Sequence, residues 1–423
     1  MTDAPASRRA IAAWCLYDWG NSAFPTVIGT FLFSAYFAEA VAPSSAVGTA
    51  LWGQATALTG LAVALASPVL GAIADQGGRR KPWLAVLSAV SVVATAFMWF
   101  VTPEPSAILL ALVLYGIASF GFELAVVFYN AMLPDLAPPH RLGRVSGWGW
   151  GLGYFGGLAC LALGLAFVQP DPAPFGLDKA TAEHVRIAAP MVAVWFALFA
   201  LPLFVLVPDR PHADLPIGVA VRNGLAALRA TLRQLPRHRN VLRFLIAKMI
   251  YVDGLNTLFA FGGIYAAGTI GMALDEVLLF GVLLNVASGI GAFAFAWVDD
   301  WIGAKPTIVI ALVALIFFGT GVLLVEDKTW FYLLAMGIGA FLGPTQAASR
   351  SLMARLAPRE LMTEFFGLYA LAGKATAFVG PALLGWVTLL ADSQRVGMAT
   401  ILPFFAVGLW LLWGVREPSR RPG

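Results

Sequence analysis

Long apolar stretches alternate with short polar ones along the whole chain. A helix that crosses a bilayer needs about 20 mostly apolar residues, and its backbone hydrogen bonds are then satisfied within the helix itself. Twelve stretches meet this length and predict twelve transmembrane helices. Their approximate bounds are 11–37, 51–74, 83–101, 108–129, 145–168, 187–207, 242–267, 277–298, 307–325, 330–349, 365–390 and 398–415.

Composition supports the same fold class. Of the 423 residues, 60% are hydrophobic and 12% are charged, whereas soluble domains average about 45–50% apolar and about 25% charged residues. The chain is therefore expected to be an all-α membrane protein with the lipid bilayer as its main solvent. A net charge of +4 gives little support to a nucleic-acid partner.

The distribution of lysine and arginine predicts the orientation, because cytoplasmic loops are enriched in both. With both termini in the cytoplasm, the external loops hold four of these residues, Lys179, Arg186, Lys328 and Arg395. The internal loops then hold Arg79, Arg80, Lys81, Arg141, Arg144, Lys305, Arg350, Arg355 and Arg359.

The longest internal connection, residues 208–241, divides the chain into two six-helix domains, 1–207 and 242–423. Within it, apolar residues recur every three or four positions, beside several arginines, at Val221, Leu225, Leu228, Leu232 and Leu235. This pattern predicts an amphipathic helix at the membrane interface. It can serve as a tether or strut, or have a regulatory role.

The two domains carry similar strings in the same order. D-x-x-N-[ST]-x-F begins at Asp18 and at Asp253, and small-x-x-x-D-x-x-G-x-[KR] begins at Gly71 and at Ala296. L-A-P precedes the fifth and the eleventh helix. The offsets of 235, 225 and 220 residues drift slowly, so we expect two pseudo-symmetric bundles related by a parallel repeat.

Twelve helices as six plus six, with G-x-x-x-D-x-x-G-R-R-K over residues 71–81, resemble the major facilitator superfamily over nearly the whole chain. The segments W-C-L-Y-D-W-G-N-S-A-F (14–24), Y-V-D-G (251–254) and G-K-A-T-A-F (373–378) resemble its vacuole-effluxer branch. That branch includes fungal autophagy-linked amino-acid effluxers and bacterial members. The resemblance implies the major facilitator fold and a central site; we expect a monomer in a bacterial inner membrane.

The loop after the second helix has the features of a gate. Gly71 allows close helix contact, Asp75 can accept from the start of a neighbouring helix, and Gly78 permits a tight turn. We expect Arg79 in this gate too, whereas Arg80 and Lys81 are expected to be solvated cations. The resemblance implies a latch between the second and eleventh helices.

The second copy of this loop is degraded. Ala296 replaces the glycine, and the loop has one cation fewer. Asp300, Gly303 and Lys305 are its candidate gate residues, and we expect a weaker latch.

Four ionisable residues lie well inside the predicted helices, where such groups usually mark pathways or relays. They are Asp18, Glu123, Asp253 and Lys374. At about 1.5 Å per residue they lie roughly 9–14 Å from the cytoplasmic helix ends, at one depth. In the resembled fold, helices one, four, seven and ten line the cavity, so the three carboxylates should face it. Lys248 lies nearer the boundary and can snorkel.

Asn21 and Asn256 follow the two aspartates by three residues and share a helical face with them. Each asparagine can donate to a carboxylate or bind a polar ligand. The neighbouring hydroxyls of Ser22 and Thr257 are expected to bond to their own helix backbone.

One cation among several carboxylates suits a zwitterionic solute, with its ammonium near an aspartate and its carboxylate at Lys374. Tyr154 is the matching residue of the first half, so the lysine has no counterpart there. Asp18 or Asp253 is the candidate carrier of a coupling proton. The alternative is a purely structural pair, such as Asp253 with Lys374.

The predicted function is secondary active transport of a small polar or zwitterionic, amino-acid-like solute, exported by alternating access with proton coupling. The alternatives are a membrane-embedded enzyme, a channel, or a carrier for another metabolite or drug. The histidines, at 140, 184, 212 and 238, all fall in predicted loops, and no G-x-x-x-x-G-K-[ST] string occurs. We therefore expect no catalytic residues, no metal and no cofactor.

Overall fold

Twelve helices long and apolar enough to cross a membrane occur in the computed structural model, which describes residues 7–211, 215–235 and 238–418. The prediction of twelve spans is confirmed. They are α1 (Arg8–Val41), α2 (Ser45–Gly77), α3 (Lys81–Phe100), α4 (Pro105–Leu136), α5 (Pro139–Val168), α6 (Glu183–Leu206), α7 (Arg239–Gly268), α8 (Asp275–Ile302), α9 (Ala304–Leu324), α10 (Lys328–Leu356), α11 (Arg359–Ala391) and α12 (Gln394–Trp413).

Most helices extend beyond the predicted apolar stretches. The 33 residues of α2 span about 50 Å, more than the hydrocarbon thickness of about 30 Å. Hydropathy detects the part in hydrocarbon, whereas capping groups set the ends. Ser44 accepts from the backbone N–H of Val47 where α2 begins, and Gly78, with a φ of 76°, follows its last turn.

Two helices are irregular inside the membrane. α1 is α-helical to Asn21 and then has wide π-helical turns over Phe24–Phe31 and Phe37–Val41. α11 consists of Met362–Lys374 and Val379–Ala391, which are joined by a turn. Irregular backbone at this depth is tolerated where it is buried in protein or lines a cavity.

Each set of six helices has its own packing. In the first half, α1 packs against α5 and α6, and α3 packs against α4; in the second half, α10 packs against α8 and α9, and α7 packs against α12. Between the halves, α2 contacts α11 and α5 contacts α8. The linker joins the halves on the side where α1 begins and α12 ends, which we call the terminal side.

Glycines bring the halves together towards the terminal side. A Cβ at Gly71 of α2 would lie 2.5 Å from the carbonyl oxygen of Thr363. Ser67 Oγ donates to the carbonyl of Gly367 at 3.0 Å. In α5, a Cβ at Gly147 would lie 2.5 Å from that of Ala296. The two interfaces are therefore tightly closed there.

The predicted amphipathic helix of the linker is present as Ile217–Gln234. It packs along α2, where a Cβ at Gly224 would lie 2.8 Å from Cα of Ile73. Leu228 is buried, whereas Leu225 and Leu232 are about half exposed (48% and 49%). Leu228 of the predicted stripe thus contacts protein, together with the small residue Gly224, whereas Leu225 and Leu232 do not. The packing supports a strut.

Adding a methyl group at Gly71 is expected to destabilise the closed α2–α11 contact by about 1–3 kcal/mol, because backbone atoms of α11 occupy that space. Gly71→Ala should lower the thermal midpoint of the purified protein by several degrees. Gly77→Ala is the matched control on the same helix, since nothing lies within 4 Å of its Cβ position. Equal midpoints for the two variants would contradict this packing.

Candidate functional site

A carboxylate at the end of α2 caps the start of α11. Asp75 accepts from the backbone N–H groups of Thr363 (3.2 Å) and Glu364 (2.9 Å). These groups belong to the first turn of Met362–Lys374 and have no partner within their own helix. The carboxylate also faces the positive end of the helix dipole. Asp75 thus has the geometry expected of a latch.

Arg80 completes this contact and is 1% exposed. Its Nε donates to Thr363 Oγ1 at 2.8 Å, and its Nη1 donates to the carbonyl of Ala131 and to Asp135. Its Nη2 lies 3.7 Å from Asp75. Burial lowers the pKa of Arg80, and the Asp135 carboxylate opposes that shift. The expectation of a solvated cation is wrong here, because this guanidinium joins α2, α4 and α11.

The second copy forms the reciprocal contact between α8 and the start of α5. Asp300 accepts from the backbone N–H of Arg144 at 3.3 Å, and their side chains pair at 3.3 Å. Beside it, Asp299 pairs with Arg355 of α10 at 2.7 Å. Arg144 and Glu364 are 220 residues apart (364 − 144), so the two caps are equivalent under the repeat.

The other predicted gate residues have different roles. Gly78 and Gly303 follow α2 and α8 with φ angles of 76° and 112°, which favour glycine. Arg79 is exposed. Lys305 Nζ donates to two backbone carbonyls near the end of α12, at 2.8 and 2.7 Å, so it joins elements of one half.

A buried ion pair connects α1 to α10. Arg350 Nη1 lies 3.0 Å from Asp18 and 3.2 Å from the amide oxygen of Asn130, and Arg350 also donates twice to Ser146. Arg350 is 2% exposed, and its guanidinium carbon lies 4.8 Å from the ring centre of Trp14. Its placement among the loop cations is wrong, because α10 continues six residues beyond it to Leu356.

The groups around Asp18 hold it in place. Trp14 Nε1 donates to the carbonyl of Tyr129, Tyr129 OH donates to the carbonyl of Trp14, and their rings stack at 4.3 Å. A Cβ at Gly149 would lie 2.6 Å from the Asp18 carboxylate. This arrangement is typical of a rigid structural bridge between halves.

A second ion pair connects α4 to α11. Lys374 Nζ lies 2.6 Å from Glu123, and the two side chains are 33% and 28% exposed. Both residues lie about 20 Å along their helices from the terminal ends, whereas Asp18 lies about 15 Å and Arg350 about 9 Å from theirs. Asp253 also lies about 20 Å along α7, so three of the four residues expected at one depth share it, and Asp18 lies somewhat nearer the terminal side. The deeper pair is also the more accessible one.

Two cavities meet at Glu123 and Lys374. The central cavity, of about 210 Å³, lies between the halves. The upper cavity, of about 200 Å³, is farther from the terminal side and is lined by first-half residues and by Lys374. Both residues line both cavities. Polar and aromatic groups of the central cavity are Asn130, Trp150, Lys248, Tyr251, Asn256, Gln346, Ser349 and Tyr369; those of the upper cavity include Thr30, Thr56, Tyr115 and Ser119.

Asp253 lies at the interruption of α11 and is 2% exposed. It accepts from the backbone N–H of Gly380 at 3.4 Å, in the first turn of Val379–Ala391. Among the described residues, no cationic nitrogen lies within 4.0 Å of it. The alternative of an Asp253–Lys374 pair is therefore not what the structure has. Thr257 Oγ1 donates to the carbonyl of Asp253 at 2.7 Å, as predicted.

The predicted site residues separate into two groups. Glu123, Asn256 and Lys374 line the central cavity. The remaining four lie outside its lining: Asp18, Asn21, Asp253 and Tyr154. Asn21 is 2% exposed and accepts from Ser22 Oγ at 3.3 Å, instead of the predicted bond from Ser22 to the backbone. Tyr154 packs at Gly289 of α8.

Lys248 was missed as a site residue. It is 5% exposed, its Nζ donates to the carbonyl of Tyr369 at 2.8 Å, and it lies 3.7 Å from that ring's centre. The expectation of snorkelling is wrong because α7 begins at Arg239, nine residues earlier. The apolar residues on both sides of Lys248 were the available signal.

The family model described as "Vacuole effluxer Atg22 like" matches residues 45–421. The chain belongs to this family. It is similar to the uncharacterized MFS-type (major facilitator superfamily) transporter YxiO of Bacillus subtilis, with 28% identity over 96% of this chain and 95% of that one. It is also similar to autophagy-related protein 22 of Cryptococcus neoformans, with 26% identity over 66% of this chain and 51% of that protein.

Solved structures agree on the fold. The proton:xylose symporter XylE superposes with a TM-score of 0.71 at 14% identity, covering 98% of this chain and 96% of that one. FucP in its outward conformation superposes with a TM-score of 0.72 at 16% identity, covering 97% of this chain and 100% of that one. The Atg22-like chain therefore has the major facilitator fold, and it is a multi-pass membrane transporter.

Removing the Arg350 cation is expected to destabilise the protein by about 3–5 kcal/mol, because Asp18 is then a buried, unpaired charge. Arg350→Gln should lower the yield of folded protein and its thermal midpoint. The double variant Arg350→Gln/Asp18→Asn, which has no unpaired charge, should recover much of the loss. Arg395→Gln, at a surface pair with Glu326, is the matched control. A double variant as unstable as the single one would refute the bridge.

Proposed function

We propose that this Atg22-like transporter moves a small zwitterionic solute, of the amino-acid class, by binding it across Glu123 and Lys374. The observation that carries the proposal is their accessible ion pair at the meeting point of two cavities. A zwitterion carries one charge of each sign. It can therefore separate the pair and leave neither side chain uncompensated.

The size and lining of the central cavity support a small solute. Its volume of about 210 Å³ is below the range of about 300–1,000 Å³ that is usual for drug-sized ligands. Asn256 and Gln346 supply uncharged hydrogen-bonding groups, and Lys248 supplies a further amino group. The ammonium partner is thus a glutamate of α4, and no longer one of the aspartates of α1 and α7.

Alternating access requires contacts that form in one state and break in another. We assign this role on the terminal side to the caps at Asp75 and Asp300, with Arg80 as the buried cation of the first. In the structure both caps are made. The first cap includes two backbone bonds, and the second includes a backbone bond at 3.3 Å and a side-chain pair with Arg144. The lower strength expected of the second cap stays a prediction. The description of the family as vacuole effluxers favours export.

We further assign the terminal side to the cytoplasm. Arg8, Arg9, Arg79, Arg141 and Arg359 are all exposed on that side, which is the distribution expected of cytoplasmic ends.

Lys374→Ala is expected to abolish substrate-dependent flux, because the solute loses the partner of its carboxylate. Glu123→Gln should weaken solute binding at least tenfold, because the ammonium group of the solute loses its carboxylate partner. The measurement is counterflow of radiolabelled amino acids in proteoliposomes, at equal protein abundance. Lys328→Ala is the matched control, since Lys328 pairs at 2.7 Å with Glu276 on the surface. Full transport by Lys374→Ala would refute the site.

We propose Asp253 as the proton carrier, because it is buried, has no cationic partner in the described residues and contacts the interruption of α11. Asp253→Asn is expected to abolish flux driven by a pH gradient and to retain solute counterflow. Asp275→Asn, at the exposed start of α8, is the control. Unchanged pH-driven flux in Asp253→Asn would exclude Asp253 and leave the solute site untouched.

A further inference from the structure

A wide groove lies outside the transport site, at the terminal side of α1, α5 and α8. It has a volume of about 790 Å³. Its polar end is formed by Arg8, Arg141 and Arg144, and its walls by apolar residues that include Trp148, Leu152 and Phe293. Because α1 and α5 belong to the first half and α8 to the second, the groove bridges the halves.

The cations at the polar end are available to a ligand. Arg8 and Arg141 are exposed and form no ion pair with a described residue. Arg144 uses its Nε side towards Asp300. The groove therefore offers more positive charge than its own acidic groups compensate.

The apolar walls lie where lipid is the solvent. Trp297, which is 43% exposed, meets Trp148 edge-to-face at 6.1 Å, and Leu152 extends the wall about 12 Å along α5 beyond Arg144. Tryptophan is common at the level of headgroups. A ligand with an anionic head and a long apolar tail fits both the polar end and the apolar walls of the groove, whereas a free anion fits the polar end alone.

We propose that this groove binds one anionic phospholipid of the leaflet on the terminal side, with its phosphate at Arg8, Arg141 and Arg144 and an acyl chain against Trp148 and Leu152. The bound lipid contacts both halves beside the cap that Arg144 forms with Asp300. It therefore stabilises closure on this side. Neither the solute site nor the proton carrier is involved.

Native mass spectrometry of the purified full-length protein tests the proposal. Phosphatidylglycerol is expected to give a retained one-lipid complex, and phosphatidylcholine a much weaker one. At about 1 kcal/mol for each cation near an anionic surface, Arg8→Gln/Arg141→Gln should weaken phosphatidylglycerol binding about 30-fold. The control Arg9→Gln/Arg359→Gln removes the same charge from the same side and should leave binding unchanged.

Two further measurements keep the proposal falsifiable if the arginine variant folds poorly. Ala12 of α1 also lines the groove. Ala12→Trp fills the groove without changing its charge and should also displace the lipid. Glycerol 1-phosphate, which has the anionic head alone, should not compete at the same concentration. The phospholipid site would be overturned by equal binding of both lipids or by equal loss in both double variants. Retained binding in Ala12→Trp, or full competition by glycerol 1-phosphate, would also overturn it.

Discussion

A charge that leaves water for the interior of a membrane protein must be compensated by another charge or by several hydrogen bonds. In this transporter, two of the compensating partners come from the opposite half. Asp18 has Arg350, and Glu123 has Lys374. The association of the halves therefore depends on these pairs, and their separation requires that something else take the partner's place. For the deeper, accessible pair, a zwitterionic solute meets that requirement.

Each half uses its copy of the repeated loop to cap a helix of the other half. The carboxylate at the end of α2 caps α11, and the carboxylate at the end of α8 caps α5. The supporting caps follow the same rule within each half: Asp209 accepts from the first backbone N–H groups of α3, and Glu417 from those of α9. Similar backbone geometry is thus retained where the side chains differ.

Most of the fold followed from the sequence. Apolar length is a local property that hydropathy detects, and the repeat offsets can be found by matching short strings along the chain. The site was predicted less well. Glu123 and Lys374 were found as isolated charges in apolar stretches, but their pairing depends on how helices rotate and cross. Arg350 and Lys248 were assigned to boundaries because polar residues near helix ends resemble loops. A helix that continues past its apolar stretch carries such residues inward, and nothing in the local pattern marks that.

The interhalf pairs have one further consequence. At the repeat offset of 220 residues, the first-half residue that corresponds to Arg350 is Asn130 (350 − 130). The one that corresponds to Lys374 is Tyr154 (374 − 154). Two copies of the first half would place Asp18 opposite an asparagine and Glu123 opposite a tyrosine, so neither carboxylate would have a cation as its partner. The lobes have thus become obligate complements, like the subunits of a heterodimer that happen to share one polypeptide.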